Sequence, residues 1–162
     1  MAAHERPGKS DEWYTPRYIF EALGETFDLD VAAPVDRTYV TTPALGFFTE
    51  GALTREWRGF VWVNPPFGKR NGLEPWLDKF FTHNYGIALT PDRTSAPWWQ
   101  AAARRADGTL FISPKVRFIK PDGTTGESSP GTGTTLFASG TRAANALRHA
   151  APKLGVYYPK AA

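Results

Sequence analysis

The residues best suited to catalysis or ligand binding follow a short apolar run near the middle of the chain. This run, FVWV, ends in Asn64, Pro65, Pro66 and Phe67. The two prolines fix φ and lack backbone N–H donors, so the segment offers oxygen acceptors without competing donors. The Asn64 side-chain oxygen and the Pro65 carbonyl can accept both hydrogens of an amino group on a planar ring, and Phe67 can stack on that ring. Because acceptors fixed in this way turn the nitrogen lone pair towards an electrophile, the motif predicts methylation of an exocyclic amine by a methyl sulfonium.

A stiff turn is the simpler explanation of the same residues. Prolines commonly end strands, and an Asn-Pro pair starts many ordinary loops. The location favours a functional role over a purely structural turn, because ligands bind α/β sheets beyond the carboxyl ends of their strands. Asp30 ends another strand-like run, FDLDVAA, and it has two corresponding interpretations: a turn carboxylate or a ligand-binding residue.

The elements that must position these residues alternate along the chain. Helical spacing occurs in TPRYIFEAL, LEPWLDKFF, SAPWWQAAARRA and TRAANALRHAA, with Thr15 and Ser95 as predicted N-caps and Pro16 at a first helical position. Strands are predicted for FDLDVAA, FVWVN, YGIALTP, GTLFIS, KVRFI, TTLFAS and LGVYY. This alternation predicts an α/β fold with a mainly parallel sheet and helices on both faces.

Length and composition favour one domain. With 162 residues, 41% of them hydrophobic, the chain suits a single domain over residues 11–162, preceded by a disordered tail at residues 1–10. A Gly-, Ser- and Thr-rich stretch, Pro121 to Thr135, predicts a long mobile loop.

Several kinds of chemistry and location are disfavoured by the residue counts. The chain has no cysteine and only three scattered histidines, so we expect no metal site. It shows neither a bilayer-length apolar run nor a secretory signal, so we expect no membrane contact and a cytoplasmic location. A net charge of +3 is compatible with a phosphate-bearing partner without requiring one.

Six segments give the chain a recognisable order from about Asp11 to Phe137. They are DEWYTPRYIFEAL, FDLDVAAP, GALTREW, VWVNPPFGK, ALTPDRTSAPWW and KVRFIKPDG. The ordered set resembles the phage-type DNA adenine-N6 methyltransferases, small relatives of the Dam enzymes. This resemblance implies a Rossmann-like methyltransferase fold, S-adenosylmethionine as cofactor and double-stranded DNA as partner. It also implies transfer of a methyl group to adenine N6 after the base is flipped from the duplex, in a bacterial host cell on behalf of a phage or prophage.

The resemblance also assigns roles to residues by position. Asn64, Pro65, Pro66 and Phe67 match the catalytic motif. The residues implied to hold the cofactor are Trp13, Thr15, Pro16, Asp30, Ala32 and Ala33, with Asp30 at the polar amino-acid end. The sequence departs from the wider superfamily after the first strand, where VAAPVDR replaces a glycine-rich turn. It departs again near Leu53, where Glu50 is the only acidic candidate for the expected position.

Basic residues near the expected ligand edge are candidates for contacts with DNA phosphates. They are Lys69, Arg70, Arg93, Lys115 and Arg117. Two other functions stay open from the sequence. Protein glutamine methyltransferases share the Asn-Pro-Pro-aromatic turn, and a catalytically silent DNA-binding relative could keep the fold.

Overall fold

The structure is a computed structural model that describes residues 13–66, 72–126 and 131–160. The predicted tail at residues 1–10 therefore lies outside the described residues. Within the described ranges, helices and strands follow each other in this chain order: α1 (Arg17–Leu23), β1 (Phe27–Asp30), β2 (Ala44–Phe47), β3 (Val61–Val63), α2 (Glu74–His83), β4 (Gly86–Pro91), α3 (Pro97–Arg105), β5 (Gly108–Ile112), β6 (Thr134–Ser139), α4 (Thr141–Leu154) and β7 (Gly155–Pro159).

The strands form one mixed seven-stranded sheet in the order β2-β1-β3-β4-β6-β5-β7. Neighbouring strands from β2 to β4 pair in parallel. The pairs from β4 to β7 are antiparallel, because β6 and β7 run against the other strands. The α/β prediction is confirmed, whereas a mainly parallel sheet is correct only for the first half. Apolar runs indicate burial but carry no information on strand direction.

Helices cover both faces of the sheet, as predicted. On one face, α1 and α4 pack on a cluster that includes Phe27, Trp62 and Leu136. On the other face, α2 and α3 pack on a cluster that includes Val61 and Val63. Successive residues of β3 thus point to opposite faces, and all three are buried. This explains why β3 reads as a continuous apolar run in the sequence.

Both predicted N-caps are wrong. Helix α1 begins at Arg17, after Pro16 in an extended conformation, and no side chain caps it. Helix α3 begins at Pro97, and Ala96 rather than Ser95 occupies the N-cap position. A proline at or just before the first helical residue fixes φ for the turn, which makes a side-chain cap less necessary.

The segment between β5 and β6 also differs from the prediction. KVRFI is not a strand; Ile119 alone bridges to Tyr14 on one side and to Thr125 on the other. The predicted mobile loop begins as a folded turn, in which the Lys120 N–H donates to the Thr124 carbonyl at 2.8 Å. Its last two residues already belong to β6.

Candidate active site

A cavity of about 890 Å³ lies at the carboxyl ends of the parallel strands. Asp30 at the end of β1, Asn64 just beyond β3 and Pro91 at the end of β4 all line it. Asp30 is opposite Trp62 in the β1–β3 register, so Asn64 lies two residues further along, just past the end of the neighbouring strand. The two polar residues singled out from the sequence therefore open into one cavity of ligand size.

Asp30 is buried, with 4% of its surface exposed. Burial raises the pKa of its carboxyl group to about 6, although hydrogen bonds from the Ala32 N–H and the Thr42 hydroxyl partly offset that rise. The Ala32 N–H lies 3.2 Å from Oδ1. Within the described ranges, no basic side chain forms an ion pair with Asp30. The arrangement suits a ligand that brings its own positive charge to this carboxylate.

The Asn-Pro-Pro turn forms the adjoining wall of the cavity. Asn64 is half-buried, Pro65 is buried and Pro66 is exposed, and all three line the cavity. Asn64 Nδ2 donates a hydrogen bond to Thr15 Oγ1 at 3.4 Å. Phe67, the predicted stacking residue, lies outside the described residues.

The predicted cofactor residues near the start of the chain fall into two groups. Trp13 and Thr15 line the cavity, and so do Ala32 and Ala33. Pro16 is buried at the start of α1 and is not part of the cavity wall. Its place at the start of α1 fixes the backbone next to Thr15.

The loop after β2 forms another wall of the cavity, and most of its residues were not among the predicted site residues. Phe48 and the stretch 49–54 line the cavity, including Glu50. The Arg55 guanidinium lies 3.7 Å from the centre of the Phe48 ring. Phe48 was missed because β2 itself was not predicted. Glu50, the acidic candidate from the sequence, is 20 positions after Asp30, a spacing at which nucleotide-binding α/β folds place an acidic residue for ribose hydroxyls.

Lys79 on α2 fixes the position of this loop through hydrogen bonds to its backbone. Its ammonium group donates to the carbonyls of Ala52 at 3.0 Å and Leu53 at 3.1 Å, and also to the carbonyl of Arg55. The Trp57 indole N–H donates to the Ala52 carbonyl as well, at 2.9 Å. The loop is therefore fixed by side chains that bind its backbone.

The predicted basic residues are only partly brought together. Arg93 and Arg117 line the cavity, together with Lys120, which directly precedes the predicted mobile loop. Lys115 is exposed and is not part of the cavity wall. Lys69 and Arg70 lie outside the described residues.

The segment that contains Arg117 and Lys120 is tied to the start of the chain. The Tyr14 N–H donates to the Ile119 carbonyl at 2.8 Å, and the Ile119 N–H donates back at 2.9 Å. The Tyr39 ring packs edge-on against Tyr14, with ring centres 5.8 Å apart. Trp13 and Thr15 therefore belong to a cavity wall that the β5–β6 segment supports.

None of the helices in the described residues is long and apolar enough to cross a bilayer. The same part of the chain contains no group of three or more His, Asp or Glu side chains placed to hold a metal ion.

Fold and site together define an α/β protein with a ligand cavity at the carboxyl edge of its parallel strands, where a buried carboxylate meets an Asn-Pro-Pro turn. The family model described as DNA N-6-adenine-methyltransferase (Dam) matches residues 3–144. The chain belongs to this family, which confirms the resemblance found in the ordered segments. Searches of curated proteins and of solved structures gave no match.

Proposed function

We propose that the protein transfers a methyl group from S-adenosylmethionine to the N6 amino group of adenine at specific sites in double-stranded DNA. One observation carries the proposal: Asp30 and Asn64, at the ends of neighbouring strands, open into the same cavity. The family match over residues 3–144 supports adenine in DNA over glutamine in protein as the acceptor. The parallel half of the sheet, covered by helices on both faces, supports a Rossmann-like methyltransferase fold.

The residues around the cavity fit S-adenosylmethionine. The buried Asp30 carboxylate can pair with the ammonium group of the cofactor, and the backbone around Ala32 and Ala33 follows directly. Glu50 can accept hydrogen bonds from the ribose hydroxyls, and the Phe48 ring offers an apolar surface for the cofactor's adenine. When bound, S-adenosylmethionine would supply the electrophilic methyl group for the chemistry at the Asn-Pro-Pro turn.

The chain's own role in the chemistry is to hold the acceptor nitrogen. Asn64 Oδ1 and the Pro65 carbonyl accept the two N6 hydrogens, and Pro65 and Pro66 bring no competing N–H donor. The nitrogen lone pair is thereby directed out of the ring plane. The new N–C bond would form as the sulfur–methyl bond breaks, with that electron pair remaining on the departing sulfur, and the methylated nitrogen would release one proton to water. Phe67 is proposed to stack on the adenine.

Double-stranded DNA must present a flipped base to this cavity, because N6 is inaccessible inside the duplex. Arg93, Arg117 and Lys120 at the cavity can neutralise phosphates next to the flipped nucleotide. Lys69, Arg70 and Lys115 remain proposed phosphate contacts on the same grounds of charge and sequence position.

A transfer assay tests the function directly. The protein is incubated with methyl-labelled S-adenosylmethionine and either unmethylated duplex DNA or a protein extract, and the labelled polymer is digested to its units. We expect label in N6-methyladenine from the duplex. Label in methylglutamine would overturn the proposal, and DNA binding without cofactor binding or transfer would identify a silent relative.

Asn64→Ala tests the catalytic assignment. We expect kcat to fall at least about 100-fold, equivalent to roughly 3 kcal/mol of transition-state stabilisation, by analogy with deletion of an oxyanion-hole donor. Cofactor affinity, measured by calorimetry, should change little because the acceptor acts mainly as charge develops on the amine. Near-normal turnover by a folded variant would make the turn purely structural.

A further inference from the structure

We propose that Thr15 is a positioning residue for methyl transfer: its hydroxyl binds the NH2 end of the Asn64 amide and so turns Oδ1 towards the acceptor amine. The inference rests on the proposed function of Asn64. It assigns Thr15 a role through another side chain, distinct from the cofactor contact that the resemblance implies for it.

The need for such a residue follows from the chemistry of the amide. The two ends of an asparagine amide have nearly the same shape but opposite hydrogen-bonding roles. Only the oxygen end can accept a hydrogen from the N6 amino group. If the Asn64 amide rotated by half a turn, two sets of N–H donors would face each other, and the amine would lose an acceptor.

Thr15 is a side-chain partner of this amide. The distance from Asn64 Nδ2 to Thr15 Oγ1 is 3.4 Å, at the long end of hydrogen-bond distances. Hydrogen bonds at catalytic sites are often long before the substrate tightens them. A hydroxyl acceptor at this point satisfies one amide N–H and leaves Oδ1 available to the cavity that both residues line.

The backbone around Thr15 is held firmly enough to serve this purpose. Thr15 is buried, and its carbonyl accepts a hydrogen bond from the Thr41 hydroxyl. On one side, Tyr14 exchanges two main-chain hydrogen bonds with Ile119, and its own hydroxyl donates to the Asp36 carbonyl at 2.6 Å. On the other side, Pro16 fixes φ at −62° before α1 begins. The hydroxyl thus comes from a segment tied down on both sides, as positioning requires.

The first test compares Thr15→Val with Thr15→Ser. Valine keeps the branched shape but removes the hydroxyl, and serine keeps the hydroxyl. For Thr15→Val we expect kcat to fall about 10- to 100-fold, less than for loss of a direct acceptor. The dissociation constants for S-adenosylmethionine and for DNA should stay within about threefold of the wild-type values, and Thr15→Ser should recover most of the lost kcat.

Thr90→Val is the matched control. Thr90 is fully buried on β4 and does not line the cavity. Within the described part of the chain, its hydroxyl has no hydrogen-bond partner. The change has the same shape as Thr15→Val, and it should leave kcat at the wild-type value. A similar loss of kcat in both variants would show a general effect of hydroxyl removal and overturn the proposal.

A second test uses the background Asn64→Asp, whose own turnover sets the baseline. A carboxylate has an oxygen at both ends, so it has no orientation for Thr15 to select. The proposal therefore expects Thr15→Val to cost much less in the Asn64→Asp background than in the wild type. An equal cost in both backgrounds would overturn it. If Asn64→Asp is too slow to measure, the comparison of Thr15→Val with Thr15→Ser decides alone.

Different experimental results would refute the proposed function and the role of Thr15. Wild-type protein that transfers no methyl group to adenine would refute the function, and with it the inference. Active wild-type protein whose Thr15→Val variant loses cofactor affinity at unchanged kcat would refute the inference alone, because Thr15 would then be a cofactor contact.

Discussion

The Asp30 carboxylate is buried where water stabilises its charge poorly. Burial raises its pKa to about 6 from the ordinary value of 3.8. A cofactor ammonium group bound beside it would lower that pKa again, so binding of the cofactor and loss of the proton favour each other. Asp30 is therefore expected to make both the cofactor affinity and the free energy of unfolding depend on pH.

We expect cofactor affinity to depend on pH through Asp30. Because only the ionised carboxylate pairs with the ammonium group, affinity should be nearly constant from about pH 7 to the pH at which the ammonium group loses its own proton. Affinity should fall by up to about tenfold per unit below about pH 6. Calorimetric titrations between these pH values measure the effect. The Asn64→Ala variant should show the same profile as the wild type, whereas a flat wild-type profile would contradict the pairing.

Asp30→Asn is expected to stabilise the cofactor-free protein while it weakens cofactor binding. The folded-state pKa is raised, so the stability linked to this group is complete below the unfolded pKa of 3.8 and is lost as pH rises through about 6. At pH 8 the free energy of unfolding should therefore increase in the variant, by about 1–3 kcal/mol. Urea unfolding at pH 8 measures this, and a less stable variant would contradict it.

At the scale of single residues, the sequence identified the polar positions but not their partners. Asp30 and Asn64 stood out because each ends a strand-like run. Thr15 was assigned from the resemblance alone, and its contact with Asn64 joins residues 49 positions apart. Such a pairing depends on how α1 and β3 pack, and no local pattern encodes it.

At the scale of the elements, the position of the loop after β2 depends on a charged side chain from helix α2. Lys79 of α2 donates hydrogen bonds to carbonyls of this loop, and its ammonium group lies 5.2 Å from the centre of the Trp57 ring. Hydrogen bonds from a charged donor are among the stronger ones in proteins. The position of Glu50 and Leu53 at the cavity therefore depends on α2.

Lys79→Met should loosen this loop. Methionine keeps the apolar part of the side chain but removes the donor, so three backbone carbonyls lose a partner. We expect the free energy of unfolding to fall by about 1–2 kcal/mol and cofactor affinity to fall more than DNA affinity. Chemical denaturation and calorimetry measure the two effects. Lys153→Met, at the exposed end of α4, is the control and should change neither.

The elements were predictable where apolar residues recur with helical or strand spacing, and uncertain at the sheet edge and in irregular buried segments. All four predicted helices are present. Strand β2 was missed because ALGF is a short edge strand without clear alternation of buried and exposed residues. KVRFI was wrongly predicted as a strand because its apolar residues pack against the core without a continuous neighbouring strand; Val116 is fully buried.

Across the whole molecule, the net positive charge is modest, and three basic side chains line the cavity. The net charge is only +3, yet Arg93, Arg117 and Lys120 all line the cavity. Phosphate contacts release counterions, so DNA affinity should fall with salt in proportion to their number. The location of the charges matters more for binding than their total.

Arg93→Gln and Arg117→Gln should each weaken DNA binding and reduce the slope of log affinity against log salt by about 1. The loss should be similar for different DNA sequences, because phosphate contacts carry no sequence information. Binding titrations at several salt concentrations measure the slope. Arg148→Gln, on the exposed face of α4, is the control; equal slopes for all three variants would remove these arginines from the DNA interface.

The position of β6 in the sheet has a consequence for synthesis on the ribosome. Strand β6 pairs with both β4 and β5, although it follows them in the chain. A nascent chain that ends before residue 134 already contains Asp30 and Asn64, but the inner edge of β4 has no neighbouring strand and the α1 side of the sheet lacks α4. Unpaired strand edges and exposed apolar surface promote aggregation and degradation. A prematurely terminated product should therefore be cleared by the cell's quality control, although it carries both polar groups proposed for catalysis.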